Sequence, residues 1–143
     1  MAGTVVRVMP KRTLDFTAVS SGIPQAEEIV IAQGIDISQW REVSMMVRTH
    51  ANYFPGAIGE IDINAYLEGR TSEDPGILFA SASPVATVAI TNATSAPAYS
   101  VVTCTSTPAG GMLKISAKGT RTSSTGTNLI KADVSIDLSM KSA

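Results

Sequence analysis

Two stretches of near-perfect alternation constrain this chain more than anything else in it. Glu60-Ile61-Asp62-Ile63-Asn64-Ala65-Tyr66-Leu67-Glu68 sets Ile61, Ile63, Ala65 and Leu67 on one side. Residues 128–140 set Ile130, Ala132, Val134, Ile136 and Leu138 against Lys131, Asp133, Ser135, Asp137 and Ser139. A period of two is the signature of a strand with one buried and one solvated face, and that arrangement favours antiparallel pairing. Residues 41–50 repeat it, with Val43, Met45, Val47 and Thr49 opposite Glu42, Ser44, Met46, Arg48 and His50.

Further extended segments are expected at 27–33, 77–80, 84–90, 98–105 and 112–118, each bounded by Gly, Pro, Ser, Thr or Asn. Loops are expected at 52–59 around Pro55-Gly56, at 69–76 and at 119–127, and a hairpin turn at Pro108-Ala109-Gly110-Gly111. Sixteen Ser and fifteen Thr suit strands and turns better than helices. The expected fold is therefore an all-β antiparallel sandwich, jelly-roll-like, of about eight to ten short strands. At 143 residues one core is enough. Residues 4–9 and 12–19 are extended too but parted by Pro10, which has no backbone donor, so residues 1–22 are read as an N-terminal extended arm and residues 23–143 as one sandwich domain.

Charge excludes some functions. Eleven basic and twelve acidic residues leave a net charge of −1, so no positive field gathers a phosphate backbone, and no nucleic-acid partner is expected. No run approaches the ~20 apolar residues of a membrane span, and residues 1–19 lack the apolar core of a secretory signal. No membrane partner is expected either. The lone Cys104, in Val101-Val102-Thr103-Cys104, reads as a buried, inert thiol.

Catalysis finds few footholds. His50 is the single imidazole, with no Gly-x-Ser-x-Gly elbow, and reads as a polar strand-end residue. One His and one Cys do not make a zinc site. Glu60, Asp62, Asn64 and Glu68 share a strand face, as a calcium site or an acid–base pair would, but a solvated face has the same pattern and is the simpler reading, as it is for Asp133 with Asp137. Asn92-Ala93-Thr94 matches a glycosylation acceptor without a secretory context. No catalytic, cofactor-binding or metal-binding residues are assigned, and no enzyme is expected.

Partner-binding candidates are the apolar residues Val5, Val6 and Val8 of the arm, as an added strand, and the loop pair Tyr53-Phe54, as a contact site or as loop packing. Trp40 is a core or sheet-corner residue, or else an aromatic anchor. Arg70 and Arg121 are candidate rim contacts.

The run Gly34-Ile35-Asp36-Ile37-Ser38-Gln39-Trp40-Arg41-Glu42-Val43, with the closing Val134-Ser135-Ile136-Asp137-Leu138-Ser139-Met140-Lys141, resembles small β-sandwich proteins of phage and prophage structural genes. The resemblance implies a head decoration or cement protein: a homo-oligomer, dimer or trimer, made in the host cytoplasm, that binds the major capsid protein on the virion surface and ties capsomers together. It carries no catalytic residues. The opening strand is also similar to those of jelly-roll carbohydrate-binding modules, in which Trp40 or Tyr53 would stack on a sugar. A phage tail tube or fibre component is the third reading.

Overall fold

Why these strands form, and where each pairs, follows from the alternation once the partners are known. A computed structural model of the chain describes residues 3–17, 25–56, 59–70, 73, 76, 79–105, 111–121 and 129–142. Those residues hold nine strands: β1 (Gly3–Asp15), β2 (Gln25–Asp36), β3 (Glu42–Asn52), β4 (Gly59–Gly69), β5 (Phe79–Ala80), β6 (Ala86–Ile90), β7 (Ala98–Thr105), β8 (Met112–Arg121) and β9 (Lys131–Lys141). One sheet runs β1-β9-β3-β7. The other runs β2-β8-β4-β5, with β6 also on β4, and every pairing is antiparallel.

β5 and β6 are two pieces of one interrupted strand. Glu68 faces Ala80, the Ser81 and Val85 amides donate to the Leu67 and Ala65 carbonyls, and Ala86 then faces Ala65. Pro84, with no donor to give, lies inside the interruption. Counted this way, the eight strands cross from one sheet to the other at every connection except β4 to β5. That is the jelly-roll order, as expected.

The core lies between the sheets. Val43, Met45 and Val47 from β3, Ile61, Ile63 and Ala65 from β4, Leu113, Ile115 and Ala117 from β8, and Ala132, Val134, Ile136 and Leu138 from β9 are all fully or almost fully buried. Phe16 ties the layers together: its amide donates to the Ile130 carbonyl at 2.8 Å, and its ring lies so close to Gly119 on β8 that a Cβ there would overlap it.

The N-terminal segment departs from the two-piece reading. Gly3–Asp15 is one continuous edge strand on β9, with register shifts between Arg7 and Met9 and between Met9 and Arg12, so that Pro10 falls where no ladder bond is demanded of it. Met9, Leu14 and Phe16 are buried in the common core, which makes this segment part of the sandwich. The solvated-face reading of β4 also needs correction. Asn64 and Glu68 point away from the core yet are buried, because Thr87 Oγ1 donates to Asn64 Oδ1 (2.8 Å), while Glu68 reaches over β8 to accept the Gly34 amide (2.8 Å). Gly34 has φ of 68°, in the irregular part of β2 where only glycine fits without strain. The expected loops at 71–72, 74–75 and 122–127, the extended residues 77–78 and the turn at 108–110 lie outside the described residues.

Candidate interaction surfaces

The outer face of the β1-β9-β3-β7 sheet is a polar lattice. Arg7 on β1 donates through Nε and Nη2 to the two carboxylate oxygens of Asp137, its cross-strand partner on β9. Asp133 accepts from Thr13 Oγ1 (2.6 Å) and Tyr53 Oη (2.8 Å), bonds that hold its carboxyl below the usual range and push the Tyr53 phenol up. Lys131 Nζ stands 5.0 Å over the Tyr53 ring. His50 Nε2 lies 2.9 Å from Ser135 Oγ, and partial burial together with the cations Arg48, Lys11 and Arg7 lowers its pKa against the pull of Asp133.

The outer face of the other sheet has its own network. Glu28 on β2 accepts from Ser116 Oγ on β8 (2.5 Å) and from Tyr66 Oη on β4 (3.1 Å), and Lys114 Nζ stands 4.6 Å over the Tyr66 ring. Beside them burial, then the charge of Glu60, raises the Asp62 pKa to about 6 despite Lys118 across the strand. Among the described residues no three His, Cys, Asp or Glu side chains group as metal ligands. Burial raises the Cys104 thiol to about 11, which leaves it protonated at neutral pH.

The candidates from sequence are scattered over this frame. Val5 and Val6 are exposed on the free edge of β1, whereas Val8 is half-buried against the core. Trp40 packs against the core after a turn in which its amide donates to the Ile37 carbonyl, so it acts as a sheet-corner residue. Phe54 packs inward and Tyr53 outward, and the pair is divided between the two roles weighed for it. Arg70 is exposed, with Nη1 4.0 Å from Met112 Sδ. Arg121, expected at a rim, is instead the buried last residue of β8, between Gln25 and Gly59, because the strand runs three residues past Lys118.

Sequence reasoning passed over the flank made by β5, β6 and β7. Residues 75–113 contain no Asp, Glu, Lys, Arg or His; at the chain's 16% charged residues, 39 positions would hold about six charges. The fold gathers the described part of this stretch on one side of the sandwich, with β5 and β6 along β4 and β7 at the edge of the facing sheet. Phe79 (48% exposed), Val85, Tyr99 (58%) and Val101 (56%) open to solvent there. Compared with protein-family models, curated proteins and solved structures, the chain matches none. Any reading of its role therefore rests on these surfaces.

Of the tyrosines, Tyr53 and Tyr66 are each tied by a carboxylate at the hydroxyl and a lysine over the ring. Tyr99 has only the sulfur of Met46, 3.6 Å from its hydroxyl, and its ring is open. The charge gap was the signal that could have found this flank.

Proposed function

We propose that the protein is a non-enzymatic structural subunit of a phage-type virion, a decoration or cement protein bound to the major capsid protein on the outside of the head. The observation that carries the reading is the segregation of charge: one flank of a jelly roll is uncharged and lined with exposed apolar side chains, while both broad faces carry tied ionic networks. Monomers rarely leave such a flank to water, whereas subunits of an assembly cover it. The jelly-roll order and the resemblance of residues 34–43 and 134–141 supply the class of assembly. Val5 and Val6, on the opposite edge, are available for a second contact, and many weak contacts on a repeating shell add up through effective concentration.

The carbohydrate-binding reading has less to stand on. Trp40 packs against the core, and Tyr53 has its hydroxyl on Asp133 and a lysine over its ring, so neither offers an open platform. The test is co-sedimentation of the purified chain with empty shells assembled from the major capsid protein of the same genome. Saturable pelleting at a fixed ratio is expected. A chain that remains in the supernatant overturns the capsid assignment, and rings or tubes formed by the chain alone would move it to the tail.

A further inference from the structure

We infer that β7 is a self-pairing edge: two copies of the chain join β7 to β7 antiparallel about a two-fold axis, giving a continuous eight-stranded sheet. This deepens the assembly reading by naming the occupant of the uncharged flank.

Four edges end the two sheets, and three carry protection against another strand. β1 bears Arg7, Lys11 and Arg12, a proline and two register shifts. An antiparallel copy centred near Met9 would bring Arg7 against Lys11 of its mate. β2 bears Glu27 and Glu28 and two register shifts. The β5/β6 edge is cut into pieces of two and five residues. Charge, proline, bulges and shortness are the means by which sheet edges avoid adventitious pairing.

β7 has none of these. Ala98-Tyr99-Ser100-Val101-Val102-Thr103-Cys104-Thr105 is eight residues long, uncharged, free of proline and rich in strand-forming types. Its ladder to β3 is regular from Thr103 to Ala98, with a shift only at the Val43 end, and among the described residues β3 is its single ladder partner.

A second copy is the occupant whose charge matches. Its β7 has no ionic group to desolvate and none to repel, so the strand is electrostatically complementary to itself, as an isologous contact requires. With Val101 on the axis, Tyr99 faces Thr103 of the mate on the outer surface. Aromatic against β-branched across a strand pair is a stabilising combination. The open ring of Tyr99 and the exposed Val101 are thereby covered from both sides.

The experiment is sedimentation velocity with light scattering on the full chain at tens of micromolar, together with Val101→Lys and the edge control Val5→Lys, all checked for fold by circular dichroism. A particle of twice the chain mass is expected for the wild type and for Val5→Lys. A monomer is expected for Val101→Lys, with dimer affinity reduced at least about tenfold, because the substitution sets two lysines side by side on the axis. Should Val101→Lys fail to fold, Thr103→Lys on the same exposed row gives the same comparison. A monomeric wild type, a trimer, or a dimer that survives a folded Val101→Lys or Thr103→Lys each overturns the pairing. Shell binding is read separately by pelleting, so loss of one result leaves the other standing.

Discussion

Single side chains hold this sandwich at points where the backbone ladder stops. Asn52, at the end of β3, donates from Nδ2 to the carbonyls of Thr91 (2.6 Å) and Thr94 (3.0 Å) and accepts the Phe54 amide at Oδ1 (3.0 Å), pinning the β6–β7 connection to the other sheet. Asn52→Ala leaves three half-buried backbone groups short of a partner, and urea unfolding should show a loss of about 1–3 kcal/mol. Gly119→Ala places a methyl in the Phe16 ring. The expected cost is about 1–3 kcal/mol, read from the same transition. Asp62 works against the fold at neutral pH. Its pKa is higher folded than unfolded, so the stability it contributes at low pH is lost as pH rises from about 4 to about 6. The full shift would correspond to about 3 kcal/mol, and solvent screening of a part-exposed group reduces it to about 1. Asp62→Asn should therefore raise the melting temperature at pH 7 and make no difference near pH 3.5.

At the scale of strands, β1 decides how the N-terminus behaves. Read from sequence, Pro10 divides the segment and suggests that it is dispensable for folding. Paired along β9 and burying Met9, Leu14 and Phe16, it is instead a structural edge. Removing residues 1–16 strips three core side chains, each worth about 2–5 kcal/mol when truncated, against a total stability of about 5–15 kcal/mol. The truncated chain should have no cooperative thermal transition; a sharp transition would restore the arm. β9 was the most legible strand, since Ala132, Val134, Ile136 and Leu138 alternate without a fault and all are fully buried. β7 matched its expected bounds at 98–105, yet its importance as an edge was hidden, because strand order is not written in any local pattern.

Across the whole molecule the order of pairing sets the folding problem. β9 is the last strand, and it lies between β1 and β3, so the four-stranded sheet cannot close until the C-terminal residues arrive. The Arg7–Asp137 pair joins positions 130 apart. Non-local pairings of this kind fold slowly, in milliseconds to seconds, because loop-closure entropy is spent before the contacts that repay it. Stopped-flow refolding should give a relaxation in that range. A chain ending at residue 130 should lack the near-native far-ultraviolet signal of a sheet at any time, since both β1 and β3 lose their shared neighbour.

What the sequence determined by itself is what short-range periodicity can encode: strands at nearly all the observed places, the inward residues of β3, β4 and β9, a buried thiol and one domain-sized core. Alternation is local, and burial of one face follows directly from it. Only the tertiary structure decided that Pro10 sits in a bulge rather than at a hinge, that Arg121 is buried, that Asn64 and Glu68 are covered on an outward face, and that a charge-free stretch of chain becomes one flank. Each depends on which strand lies beside which. That order is set by the packing of the whole chain, where residues more than a hundred positions apart become neighbours.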